Sequence, residues 1–120
     1  MLNKNLISFL KKNKKNISKS RIICIGDIIL DHYINGKVER MSPEAPVPIL
    51  MMESQKYEIG GAGNVARNIS NMGAKTTFIC LSGNDQSSII VKELLQKDKN
   101  IKSISINIPN FKTPIKTRFI

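Results

Sequence analysis

The chain has 120 residues, of which 41% are hydrophobic, 23% charged and 5% aromatic, with a formal net charge of +10. That suits one ordinary domain and excludes a disordered or collagen-like chain, and no apolar run approaches the roughly 18–20 residues that cross a bilayer. Two Cys cannot build a disulfide scaffold, so a globular chain of a reducing, cytoplasmic compartment is expected.

The charge is uneven. Residues 1–21 carry Lys4, Lys11, Lys12, Lys14, Lys15, Lys19 and Arg21 with no carboxylate, or 7 − 0 = +7, which leaves 12 − 9 = +3 for the rest. Lysines interrupt any apolar core of a secretory signal, and a single Arg is too few for a mitochondrial presequence. Leu2, Leu6, Phe9 and Leu10 fall on one face of a short amphipathic helix, so residues 1–20 read as a basic N-terminal helix docked on the body by that face. No aromatic residue interleaves the lysines to stack on bases, and neither a nucleic-acid nor a membrane partner is expected.

Arg21-Ile-Ile-Cys-Ile-Gly-Asp27 reads as a strand buried on both faces, as in a parallel sheet. Asp31 to Val38 and Val47 to Met52 are extended stretches, separated by Ser42-Pro-Glu-Ala-Pro-Val-Pro48, whose prolines forbid a helix. Gly60 to Gly63 is a glycine-rich turn into a helix over 64–72, with Val65, Ile69 and Met72 as its apolar spacing and Gly73 as its stop. Thr76 to Leu81 is a β-branched, buried strand. Asn84-Asp85 caps a helix to about Lys97, with Ile90, Leu94 and Lys97 on successive turns. Ile101 to Ile108 alternates as a half-buried strand, Pro109 to Pro114 is a turn, and Ile115 to Ile120 begins another strand. Strands alternating with helices give an α/β fold with a mainly parallel sheet, its growing edge uncovered and its last strand cut short, so the chain reads as incomplete.

Glu58-Ile-Gly-Gly-Ala-Gly-Asn-Val-Ala-Arg-Asn68 is the segment richest in chemistry. Its glycines permit positive φ and close ligand approach, the following helix offers free N–H groups, and Asn64 adds an amide. Such a turn suits a polyhydroxylated or anionic ligand, or it simply reverses the chain. The same residues fit G-x-G-x-x-[GA], with Asp85 near the distance of a ribose contact. That dinucleotide fingerprint needs an apolar strand just before it, and Gln55-Lys-Tyr-Glu-Ile59 is mostly polar. Asp27 and Asp31 follow the first strand, where open α/β sheets bind ligands. Either could hold a sugar hydroxyl, against a turn cap for Asp27 and a solvated side chain for Asp31. His32, the sole His, has no metal-ligating neighbour, and Cys24 and Cys80 read as small apolar residues of buried strands.

Together, Gly26-Asp-Ile-Ile-Leu-Asp-His-Tyr33, Ser42-Pro-Glu-Ala-Pro-Val-Pro-Ile49 and Gly60-Gly-Ala-Gly-Asn-Val-Ala66 resemble the start of a ribokinase-like (PfkB) carbohydrate kinase. The Pro-rich run is especially similar to the heptose 7-phosphate kinase domain of bifunctional heptose enzymes. The resemblance implies a parallel sheet flanked by helices, with a small β lid from about 32–52 and 115–120 and the N-terminal part of a kinase domain over 21–120. It implies ATP-dependent phosphorylation of the C1 hydroxyl of D-glycero-β-D-manno-heptose 7-phosphate, a precursor step toward ADP-heptose and lipopolysaccharide. The implied substrate contacts are Asp31, Gly60, Gly61 and Asn64. Arg118 and, second to it, Lys116 are contacts to the sugar phosphate or else solvated lid charges, and Asp27 matches the pattern without an assigned role. A homodimer through the lid, or a missing C-terminal half, is the implied partner.

Family members carry their Gly-Ala-Gly-Asp anion hole, catalytic base and ATP–Mg2+ site in a later half, and Gly83-Asn-Asp85 does not substitute for it. No catalytic base and no metal ligand is therefore expected here, and the chain alone is expected to be inactive as a kinase. The alternatives are another PfkB-type sugar or nucleoside kinase fragment, or a non-catalytic sugar-binding or dimerisation module.

Overall fold

A computed structural model describes residues 4–120. In chain order the elements are helix α1 (Lys4–Lys19), strands β1 (Arg21–Ile25), β2 (Ile28–Met41) and β3 (Pro48–Gly61), helix α2 (Ala62–Asn71), strand β4 (Lys75–Ser82), helix α3 (Gln86–Gln96), and strands β5 (Ile101–Asn107) and β6 (Ile115–Phe119). They form two three-stranded sheets. One is parallel in the order β1-β4-β5; the other runs β3-β2-β6, with β2 antiparallel to β3 and parallel to β6.

The mainly parallel α/β expectation holds, with three corrections to what is buried. First, α1 buries none of its residues, so it does not dock by its apolar face; Leu2, part of that predicted face, lies outside the described residues. Second, the parallel sheet is covered on one face only. Thr76, Phe78, Cys80 and Ser82 of β4 point into the protein, whereas Ile23 and Ile25 of β1 are 66% and 73% exposed, as no helix layer lies over them. The alternation predicted for β5 is likewise weak, since only Ile101 is partly buried. Third, α2 packs through Gly63, Ala66 and Ser70 and leaves Val65 and Met72 exposed. A Cβ on Gly63 would collide with Ile28 and Ile59, so the helix sits too close to the strands for larger residues on that side.

The core joins both sheets and both inner helices: Ile28 and Leu30 of β2, Ile59 of β3, Ala66 of α2, Phe78 and Cys80 of β4, and Val91 and Leu95 of α3. β2 and β3 form a long hairpin around the prolines of 43–48, whose turn is closed by Ser42 N–H donating to Val47 O at 2.8 Å. The segment 55–59, too polar for a buried strand, is nevertheless strand, because β3 pairs with β2 along its whole length and needs to hide only alternate residues.

Asp85 caps α3 as the sequence indicates, but it also reaches across the chain. Its Oδ1 accepts from Ser88 N–H at 2.8 Å and its Oδ2 from Thr113 N–H at 2.7 Å, while the buried Thr113 hydroxyl accepts from Gly83 N–H at 2.9 Å. This use excludes Asp85 as a ribose contact. It fixes the segment that leads into β6, because Pro114 O then accepts from Leu30 N–H at 2.8 Å. Burial pushes the Asp85 carboxyl up, but the Thr113 and Ser88 hydrogen bonds and the charge of Lys112 together hold it below its ordinary range.

A folded-state value below the unfolded one contributes stability that is full above about pH 4 and is lost as pH falls through the folded value. Asp85→Ala is therefore expected to lower stability by about 1–3 kcal/mol at neutral pH. The gap to the wild type should close below about pH 4 in urea melts followed across pH. A gap that stays constant into acid would show that the clamp does not depend on the charge.

Candidate functional site

The end of β1, the start of β2 and the start of α2 meet at one point. Ala62 N–H donates to Asp27 O at 2.9 Å, and a Cβ on Gly26 would stand 2.7 Å from that of Ala62. Gly61, between β3 and α2, has φ +59° and would press a Cβ to 2.5 Å from Asp27 O, so only glycine makes this junction without strain.

Asp31 lies two residues into the exposed half of β2's alternation. Its side chain is 14% exposed, and its Oδ1 accepts from Arg118 Nη1 at 2.8 Å with Lys116 Nζ at 3.5 Å. Its Oδ2 lies over Gly60, where a Cβ would collide with it. Gly60 thus leaves the space that the carboxylate fills. Register puts Asp31 opposite Glu58 and Lys116, and Tyr33 opposite Lys56 and Arg118, so these six side chains share one face of the sheet. Arg118 also lies over the Tyr33 ring at 5.0 Å, and Lys56 pairs with Glu58 at 2.5 Å. The hydrogen bond to Asp31 raises the Arg118 guanidinium above its already high value, against a smaller opposing effect of desolvation. The opposite face carries His32, stacked on Tyr57 at 4.3 Å and 3.0 Å from Gln55 Oε1, as a structural side chain.

Asp31, Gly60 and Arg118 are therefore brought into contact. Asn64 stands exposed in the first turn of α2, four residues past Gly60. Gly61 makes the turn from β3 into α2, and the Asp27 side chain is exposed. Asp31 and Asn64 line neither the cleft beside α3 nor the one at the N-terminal ends of the parallel strands. Sequence reasoning missed the Asp31–Arg118 bond and the contribution of Tyr33. The parallel pairing of β6 with β2, 87 residues apart at this bond, leaves no local periodic trace.

A polar cleft of about 380 Å3 lies between α3 and the ends of β4 and β5. It holds Ser82, whose hydroxyl meets those of Ser105 at 2.5 Å and Asn107 Oδ1 at 2.7 Å. Burial pushes the Cys80 thiol beside it up, with Ser105 opposing, which leaves it a poor nucleophile.

Among the described residues, no three His, Cys, Asp or Glu side chains cluster to hold a metal ion. No helix among them is long and apolar enough to cross a membrane.

The chain is similar to known proteins over most of its length. Residues 19–118 match the model of the pfkB family of carbohydrate kinases. The chain is 41% identical over 105 residues to the bifunctional protein HldE of Granulibacter bethesdensis, covering 88% of this chain and 22% of that protein. It is 38% identical over 104 residues to the same-named protein of Rhodospirillum rubrum, covering 87% and 21%. The chain thus spans about a fifth of the length of these curated relatives. Among solved structures it superposes on a carbohydrate kinase from Agrobacterium tumefaciens with a TM-score of 0.68 at 24% identity, covering 84% of this chain and 31% of that one. It superposes on Escherichia coli phosphofructokinase-2 in complex with fructose-6-phosphate with a TM-score of 0.60 at 20% identity, over 84% and 31%. Both show the ribokinase-like fold.

The Asp31–Arg118 pair is only partly shielded, so a double-mutant cycle of Asp31→Asn and Arg118→Met is expected to give a coupling of about 1 kcal/mol or less in urea melts. That coupling should shrink in about 0.5 M salt. Gly60→Ala should abolish it by displacing the carboxylate, and a coupling unchanged in the Gly60→Ala background would contradict the geometry.

Proposed function

This chain belongs to the pfkB family of carbohydrate kinases, and from that membership we propose that it is the sugar-binding N-terminal part of a D-glycero-β-D-manno-heptose 7-phosphate kinase. The observation that carries the reading is the Asp31 carboxylate held between two cations on one face of the β3-β2-β6 sheet. A carboxylate accepts hydrogen bonds from sugar hydroxyls, and Arg118 and Lys116 complement a phosphate. In the free protein the groups neutralise one another; a phosphorylated sugar supplies partners to both at once, its hydroxyls to Asp31 and its phosphate to the cations. The β3-β2-β6 sheet then serves as the lid over the sugar, with the α2 N-terminus and Asn64 at its border. The Pro-rich run 42–48 and the relatives called bifunctional protein HldE support heptose over other sugars.

ATP and Mg2+ are the family's co-substrate and metal. The residues present do not fit them: no acidic cluster for a metal forms among the described residues, and no Gly-Ala-Gly-Asp run is in the sequence. The role of this chain's own residues is therefore to bind and orient the sugar, and phosphoryl transfer belongs to groups that it does not supply.

Calorimetry should find heptose 7-phosphate bound by the 120-residue chain at least tenfold more tightly than the unphosphorylated heptose. Asp31→Ala should lose binding of both, and Arg118→Met should erase the preference for the phosphate. The chain alone should not consume ATP with the sugar. A tighter hexose 6-phosphate or nucleoside in the same assay would move the substrate to another member of the family, and no binding of any sugar would reject the site.

A further inference from the structure

Most of the chain's basic excess lies in residues 1–21, which carry seven cations and no carboxylate. α1 is a helix of 16 residues, about 24 Å long, with six lysines and no acidic residue. Leu6, Phe9, Leu10, Asn13 and Ile17 are spaced three, one, three and four residues apart and form one stripe; Lys4, Lys11, Lys12, Lys15 and Lys19 lie opposite it. Leu6, Phe9 and Leu10 of the stripe are 47%, 62% and 40% exposed, whereas Asn13 and Ile17, nearer the body, are half-buried. The helix leaves the body at the N-terminal ends of the parallel strands, where Lys75 N–H donates to Ser20 O at 3.0 Å. Arg21, Lys75, Lys99 and Lys102 line a cleft of about 400 Å3 at that same end, beside Thr76, whose buried hydroxyl has no hydrogen-bond partner among the described residues. Ion pairs among the described residues engage Lys37, Lys56, Lys116 and Arg118, and none engages the ten cations of α1 and this cleft.

We propose that α1 and the basic strand ends form a docking surface for an anionic lipid bilayer, on which α1 lies in the interface with its apolar stripe inserted. Lysines flanking an apolar stripe are the pattern of helices that lie in the headgroup region, where each nearby cation adds attraction to anionic lipid. The stripe separates this reading from a nucleic-acid surface. Phosphate backbones attract the lysines equally but give Leu6, Phe9 and Leu10 nothing to bury against. The absence of a spanning helix is no obstacle, because such a helix rests on the membrane rather than crossing it. The proposal departs from the expectation of no membrane partner, because the apolar face of α1 is not buried in the fold.

The test is sedimentation of the 120-residue chain with vesicles of phosphatidylcholine alone or with about one-third phosphatidylglycerol. Binding is expected to be at least tenfold tighter to the anionic vesicles and to weaken in about 0.5 M salt. Phe9→Ala/Leu10→Ala and Lys12→Glu/Lys15→Glu are each expected to weaken it about tenfold or more. The thermal melts of both variants should match the wild type, because the substituted side chains are exposed. Equal binding to neutral vesicles, or none to anionic ones, overturns the proposal. So does full binding by the Phe9→Ala/Leu10→Ala variant, since the stripe would then be idle. A lowered melt of that variant would place the stripe on the body, and a dimer that it dissolves in sedimentation velocity would place it on a second copy; either result also overturns the proposal. Binding to duplex RNA that survives the apolar substitutions, with no vesicle binding, would assign the lysines to nucleic acid instead.

Discussion

The site exists because a carboxylate on one sheet can bond a guanidinium on a strand that enters 87 residues later. Nothing local brings Arg118 to Asp31. What does so is the chain of bonds that runs from Asp85 to Thr113, then from Pro114 O to Leu30 N–H, and only then into the pairing of β6 with β2. Each link uses a backbone group that would otherwise be left without a partner in a partly buried loop, so the path is favoured by hydrogen-bond satisfaction as much as by packing. A helix cap at the end of β4 thereby sets the register of a strand in the other sheet.

Glycine acts in the same economy of space. Gly61 turns β3 into α2 with a positive φ, Gly63 lets α2 press on Ile28 and Ile59, and Gly60 yields its missing side chain to the Asp31 carboxylate. These three positions lie within four residues, and they do three different things. The run Gly60-Gly-Ala-Gly63 therefore looks like one ligand-cradling loop in sequence, whereas in space it is a junction with the carboxylate on one side and the core on the other.

This explains what the sequence made legible. Element types followed from short-range chemistry: the Asp85 cap, the proline turn and the β-branched run at Thr76 to Leu81 each decide their own few residues. Asp31 and Gly60 were legible through family resemblance, and the fold brings them into contact. Burial was less legible. An apolar run such as Arg21 to Ile25 reads as doubly covered, yet which faces are covered depends on layers elsewhere in the chain. The apolar spacing of Val65, Ile69 and Met72 likewise misnamed the packed face of α2, because close approach to the strands selects small residues over large ones. The long-range pairings left no periodic trace at all.

The distribution of charge separates two roles on one small body. On the β3-β2-β6 sheet, cations are interleaved with carboxylates: Lys116 and Arg118 against Asp31, Lys56 against Glu58, Lys37 against Glu53. Such a face is nearly neutral, and it gains from a ligand that carries both hydroxyls and an anion, because the ligand replaces bonds that the face already makes with itself. At the N-terminal ends of the parallel strands and along α1, by contrast, no ion pair among the described residues engages the cations. Mutual repulsion there is relieved by an anion from outside, and it weakens with salt on the scale of the Debye length. A mixed face selects its ligand by geometry, and a uniformly positive end selects by sign. The first suits a small substrate held in one pose, whereas the second suits an extended surface that need not be held in any particular one.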